Sequence, residues 1–94
     1  MSEIKHFETI WNESEELISK VHKNTSTEDL ISLITNLFSD YKEMITSSIP
    51  DEVKKSLRNR YMGEIIFLIT GISARDNINV YASLIEELRL NEAK

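Results

Sequence analysis

The sequence predicts an all-α domain, namely an antiparallel four-helix bundle with a strongly apolar third helix. Apolar residues recur at helical spacings in four segments, and no segment shows the strict alternation typical of a half-buried β-strand. Polar or proline-marked breaks separate the four segments. The most apolar stretch, residues 61–72, leaves no polar stripe for water, so we expect helices of the same chain or of a partner chain to cover it.

Length and composition restrict the class of protein. A chain of 94 residues forms one domain, residues 1–94, because it is too short for two independent cores. The apolar run from Ile65 to Ile69 is far shorter than the roughly 20 residues of a membrane span, so we expect no membrane association. The lack of cysteine and of a secretion signal favours the cytoplasm. The net charge of −5 disfavours nucleic acid as a partner.

The first helix is predicted from about Glu3 to Val21. Its apolar stripe consists of Ile4, Phe7, Trp11, Leu17, Ile18 and Val21. Polar residues occupy the opposite face, so we expect this helix to lie at the surface of the domain. In the hydroxyl-rich break that follows, Ser26 with Asp29 and Thr25 with Glu28 both fit a helix-capping pattern. A second helix is predicted to begin there.

The second helix carries a wide apolar stripe. We expect it to bury Leu30, Leu33, Ile34, Leu37, Tyr41, Met44 and Ile45. Ile31 and Phe38 widen the stripe beyond what one contact needs, which predicts two neighbouring helices. Pro50 suits the first turn of a third helix, because its missing N–H needs no partner there, and acidic residues at 51 and 52 complement the helix dipole.

The third helix is basic in its first half and apolar in its second half. We expect it to end at Gly71 or within residues 73–77, where Asp and Asn favour a turn. Asn77 or Asn79 is then predicted to cap a fourth helix. The apolar stripe of that helix contains Val80 or Tyr81, with Leu84, Ile85 and Leu88. Short connections, of about three to six residues, predict antiparallel packing of consecutive helices.

The sequence contains no nucleotide-binding loop, hydrolase or zinc-protease motif, and its two histidines, His6 and His22, are expected at the surface. Paired carboxylates are the first candidate site. Glu13 and Glu16 lie three positions apart on one helix, a spacing that allows both carboxylates to meet one Mg²⁺ ion. The interpretation that we favour for this pair is a solvated acidic face.

Two further groups of charged residues are candidates. Glu64 enters the most apolar helix, and an ion pair with Arg60 one turn earlier, or a place at the rim of the core, explains it better than catalysis does. The basic cluster consists of Lys54, Lys55, Arg58 and Arg60. These residues suit an anion or an acidic partner surface, although a solvated helix end is the simpler explanation.

Residues 63–88, in which Gly63-Glu64 opens an apolar helix and a short turn leads to the last helix, resemble the closing helix pair of the MazG-like all-α nucleoside triphosphate pyrophosphatases. Residues 12–17 resemble the Glu-Glu-x-x-Glu metal motif of that family. The resemblance implies a Mg²⁺-dependent enzyme with Glu13, Glu16 and Glu64 as metal ligands. In that enzyme, Lys54, Arg58 or Arg60 would meet phosphate. The sequence departs from the family pattern, because Asn12 replaces the first motif glutamate and Arg60-Tyr61 stand where a further acidic ligand is expected.

The function that we favour is a small cytosolic binding or regulatory module that acts through helix–helix contacts. We expect it to form a homodimer, to contact a second protein, to need no cofactor and not to be an enzyme. The main alternative is a divergent MazG-like nucleoside triphosphate pyrophosphohydrolase that uses Mg²⁺. A further alternative, based on fold analogy alone, is an immunity-type or accessory protein of a mobile element.

Overall fold

A computed structural model describes residues 2–93, with side chains described from residue 6 onward. Four helices account for most of this part of the chain: α1 (Ser2–Val21), α2 (Thr27–Thr46), α3 (Asp51–Arg75) and α4 (Val80–Glu92). Between residues 2 and 93 there is no β-strand. The predicted all-α class with four helices is therefore confirmed. The side chain of Ile4, which we expected in the apolar stripe of α1, lies outside the described residues.

Local capping explains where α2 and α4 begin. Ser26 precedes α2, and its hydroxyl oxygen accepts a hydrogen bond of 3.0 Å from the backbone N–H of Asp29. Asn79 precedes α4, and its side-chain oxygen accepts a bond of 3.0 Å from the N–H of Ala82. Of the capping residues predicted at each start, the structure thus selects Ser26 and Asn79. Each cap pairs one of the N–H groups that the first turn of a helix leaves free.

The third helix begins after Pro50, as its proline predicts, and continues through Gly71 to Arg75. Asp76 closes it by donating its N–H to the Ile72 carbonyl at 2.9 Å. Asn77 then adopts a left-handed backbone conformation with φ of 53°. Asparagine tolerates this region better than most residues, so it ends the helix where a glycine would otherwise be favoured. The later of the two predicted ends is correct.

The third helix is the central element, because α1 and α2 both pack against it. Helices α2 and α3 run antiparallel: Thr27 bonds to Asp76 near one end, and the rings of Tyr41 and Tyr61 meet further along, with centroids 6.4 Å apart. Helix α1 runs parallel to α3. Glu15 on α1 contacts Ser73 on α3, and the first turns of α1 lie beside the middle of α3.

The buried core is small. Its buried apolar residues are Ile18, Leu30, Met44, Ile65 and Leu68. Ile34, Leu37, Phe67 and Ile72 pack around its centre as partly buried neighbours. At Gly71 the helix α3 lies close to both α1 and α2, because an added Cβ would lie 2.7 Å from the Ile18 side chain and 3.1 Å from that of Leu30.

Much of the predicted apolar surface is not covered within one chain. In α1, Ile18 is buried and Trp11 half-buried, whereas the rest of the described stripe is exposed, because α3 covers only one side of α1. In α2, Ile31 and Phe38 remain about half exposed, on the side away from α3. The wide stripe of α2 predicts two neighbouring helices. Within the described part of one chain, no second helix covers Ile31 and Phe38.

The fourth helix contains no buried residue and makes little contact with the other three. It projects from the three-helix unit, and the radius of gyration is 15.5 Å. A compact domain of 94 residues would have about 12 Å. The accessible surface is 7430 Å². A typical monomer of 10.9 kDa exposes about 5,600 Å². The chain therefore exposes about 1,800 Å² more than a compact monomer of its size.

Candidate functional site

The three glutamates that the MazG-like resemblance implies as metal ligands are all exposed. Glu13 and Glu16 lie on α1, whereas Glu64 lies on α3 and pairs with Arg60, with 3.4 Å between Arg60 Nε and Glu64 Oε1. Among the residues whose side chains are described, no three or more His, Asp or Glu residues lie where they could together hold a metal ion. The three carboxylates do not fit a shared Mg²⁺ site in this structure.

The basic cluster divides into one residue that supports the fold and three that face solvent. Lys54 is half-buried, and its ammonium group donates a hydrogen bond of 3.1 Å to the Ile45 carbonyl at the end of α2. The last turn of α2 has no basic residue of its own, so Lys54 supplies the positive charge that a helix C-terminus favours. Lys55, Arg58 and Arg60 are exposed and remain candidates for contact with an acidic surface.

A polar depression of about 660 Å³ lies where α1, the end of α3 and the start of α4 meet. It is lined by Trp11, Asn12, Glu15, Ser73, Ala74, Asn77, Ile78, Asn79, Val80 and Tyr81. At its base, the buried hydroxyl of Ser73 lies 2.9 Å from a carboxylate oxygen of Glu15 and 3.1 Å from the Ile78 carbonyl. These two contacts join α1 to α3 and fix the turn that leads into α4.

The phenol of Tyr81 borders the same depression. Its ring meets that of Phe7 edge-on, with centroids 6.2 Å apart, and its hydroxyl is buried with no hydrogen-bond partner among the described residues. Desolvation raises the pKa of Tyr81, and the negative charges of Glu8 and Glu15 raise it further. The phenol therefore stays protonated at neutral pH. Sequence analysis missed this cluster, because only the parallel arrangement of α1 and α3 brings Glu15 to Ser73.

A larger feature is the apolar surface that α1, α3 and α4 leave uncovered. On α1 this surface consists of the exposed side chains of Phe7, Ile10, Leu17 and Val21. Half-buried Ser14 lies between Ile10 and Leu17, so that the five positions alternate in spacing between three and four. On α3 it consists of Met62, Ile66 and Ile69, and on α4 of Leu84, Ile85 and Leu88. Spacings of three and four align side chains on one face of a helix. Each of these three helices therefore presents a continuous apolar stripe.

Between the stripes of α1 and α3 lies a groove of about 240 Å³, which we call the α1–α3 groove. It is lined by Phe7, Ile10, Trp11, Ser14, Gly63, Ile66, Phe67 and Thr70. Monomeric soluble proteins seldom expose continuous apolar patches of more than a few hundred Å², and larger ones mark sites of interaction. The arrangement is suited to receiving the apolar face of another helix.

Comparison with known proteins gives no relative. No protein-family model matches the chain, and neither the curated proteins nor the solved structures include a match. Between residues 2 and 93, no helix is both long enough and apolar enough to span a bilayer. The exposed apolar surface is therefore the feature of the molecule that bears on its function.

Proposed function

We propose that this protein is a small cytosolic binding module that forms a homodimer through helix–helix contacts. The observation that carries the proposal is the exposed apolar surface on α1, α3 and α4. A stable protein interface buries about 800 Å² on each partner. The surface in excess of a compact monomer, about 1,800 Å², is enough for one such interface with area remaining for a second protein.

The charged surface supports a second, polar contact. Lys55, Arg58 and Arg60 are exposed on the first half of α3. Exposed cations of this kind attract an acidic face and guide association more than they add affinity. In the proposed module, apolar stripes provide the affinity and the exposed cations set the orientation of the partner.

The first test measures mass in solution. Light scattering at micromolar concentration should give twice the chain mass of 10.9 kDa. A variant with Leu17→Asp, Ile66→Asp and Leu88→Asp places one carboxylate in each stripe and should be a monomer. Its far-UV circular dichroism should keep the helical signal of α1, α2 and α3 and lose at most that of α4, because all three side chains are exposed within one chain. A monomeric unmodified protein, or a triple variant that stays dimeric, would contradict the proposal.

The matched control for the triple variant adds carboxylates outside the stripes. Ser32→Asp, Asn36→Asp and Ser39→Asp add the same number of carboxylates at exposed polar positions of α2. This control should remain a dimer. The comparison distinguishes an effect of where the charges lie from an effect of how many are added. A monomeric control would mean that added negative charge by itself, rather than loss of apolar contact, separates the chains.

The second test addresses hydrolysis of nucleoside triphosphates. Metal-dependent pyrophosphohydrolysis needs several carboxylates around the metal, and no group of three His, Asp or Glu residues that could hold a metal ion is found among the described side chains. We expect no release of pyrophosphate with Mg²⁺ or Mn²⁺ at rates near about 1 s⁻¹. Replacing Glu64 by Gln should therefore leave the background unchanged. Turnover that this substitution abolishes would replace the binding-module proposal with the enzyme.

A further inference from the structure

We infer that the dimer exchanges its fourth helices, so that α4 of each copy occupies the α1–α3 groove of the other copy. This inference rests on the proposed homodimer and specifies its contact surface. Helix α4 has no buried residue, and the groove has no helix in it within one chain. Each copy thus offers one uncovered helix and one uncovered groove, which is the condition for a closed two-fold assembly.

The turn between α3 and α4 holds α4 so that Tyr81, in its first turn, meets Phe7 at the edge of the groove, while the stripe of Leu84, Ile85 and Leu88 stays uncovered. Ile78 donates its N–H to the Ser73 carbonyl at 3.0 Å, and the Ser73 hydroxyl lies 3.1 Å from the Ile78 carbonyl. Asp76 is joined both to Ile72 and to Thr27 of α2. Packing α4 onto its own groove would require breaking these bonds or changing the left-handed conformation of Asn77. A second copy meets no such constraint.

The apolar residues of α4 and α3 have comparable spacings, because Ile85 and Leu88 are three positions apart and Ile66 and Met62 are four apart. On α4, Ile85 and Leu88 are followed along the same face by Glu92. On the exposed face of α3, read from the C-terminal to the N-terminal direction, Ile66 and Met62 are followed by Arg58. A helix rises about 1.5 Å per residue, so both sets extend over similar lengths. An antiparallel alignment therefore places Ile85 near Ile66 and Leu88 near Met62 of the second copy.

The charges match in the same alignment. After its apolar stripe α4 ends at Glu92, whereas α3 presents Arg58 and Lys55 beyond Met62, and all three charged residues are exposed. The antiparallel alignment brings the carboxylate of Glu92 toward these cations, and a parallel alignment would direct it toward the apolar residues instead. Complementary charge fixes the direction and register of such contacts. The direction of α4 in the second copy is thereby specified.

Cysteine pairing tests the exchange directly, because the chain contains no cysteine. The double variant Ile66→Cys and Ile85→Cys alters only exposed side chains. On mild oxidation of the intact protein, we expect a covalent dimer in denaturing gels without reductant, and peptide mass spectrometry should identify position 66 linked to position 85. Proximity within the dimer should make this linkage at least about a hundredfold faster than linkage through random collision at micromolar concentration.

The control variant Ser32→Cys and Ile85→Cys moves one cysteine to the exposed face of α2 and should cross-link only at the collision rate. A monomer with a disulfide between positions 66 and 85 would show that α4 occupies its own groove and would overturn the inference. A dimer by light scattering whose 66–85 pair links no faster than the control would also overturn it, while leaving the proposed homodimer intact. A monomer by light scattering would remove both proposals.

Discussion

Replacing Leu68 or Ile65 by alanine should lower the free energy of unfolding by about 2–5 kcal/mol, since each change removes a large buried side chain from the core. Both residues lie in the half of α3 that meets α1 and α2. A domain of this size has a total stability of about 5–10 kcal/mol, so either variant should be substantially unfolded near physiological temperature. Chemical denaturation followed by circular dichroism, at one fixed protein concentration, measures the change.

Ile31→Ala is the matched control for Ile65→Ala. It removes the same atoms from a helix position that is half exposed rather than 1% exposed. The smaller burial should limit its cost to about 1 kcal/mol. If the two core variants melted within a degree or two of the unmodified protein, α3 would not be the central helix of the domain.

Gly71→Ala should destabilise the fold by about 1–2 kcal/mol, although alanine normally favours a helix by about 1 kcal/mol over glycine. The added methyl group would lie 2.7 Å from Ile18 Cδ1 and 3.1 Å from Leu30 Cδ1, and both of those side chains are fully buried. The terminal methyl groups of these two buried side chains must therefore change rotamer, or α1 and α2 must shift. Thermal and denaturant unfolding of the variant measure the net effect.

Gly63→Ala provides the comparison on the same helix. No atom outside the helix backbone lies within 4 Å of a Cβ built at this position. The substitution should therefore stabilise the protein by about 0.5–1 kcal/mol through helix propensity alone. Equal effects at positions 63 and 71 would show that the close approach of the three helices at Gly71 does not exist in solution.

Local sequence signals predicted the helices well. Pro50 marked the start of α3, and Ser26 and Asn79 act as caps through hydrogen bonds to residues three positions ahead. The end of α3 was less determined, because Gly71 and residues 73–77 both gave stop signals. In the structure α3 ends at the later signal, after Arg75. Gly71 lies inside the helix, where close packing against Ile18 and Leu30 leaves little room for a side chain. Glycine at this position serves close packing of helices.

The site was less predictable, because it depends on contacts between residues distant in sequence. The spacing of one turn between Arg60 and Glu64 predicted their ion pair, which the structure contains. The bond from Lys54 to the end of α2 required knowing how α2 and α3 pack. Periodicity identified the apolar stripe of α4 but treated it as buried, since sequence spacing shows which residues share a face without showing what covers that face.

The isolation of α4 has a consequence for how the protein folds. An isolated helix of 13 residues is only marginally stable in water, and within its own chain α4 half-buries only Val80 and Tyr81 in its first turn. Its amide hydrogens should therefore exchange with solvent far sooner than those of α3, through opening of α4 alone. Binding must then supply the free energy that orders α4, which lowers affinity for a given contact area. A reversible association that responds to protein concentration follows from this coupling of folding to contact.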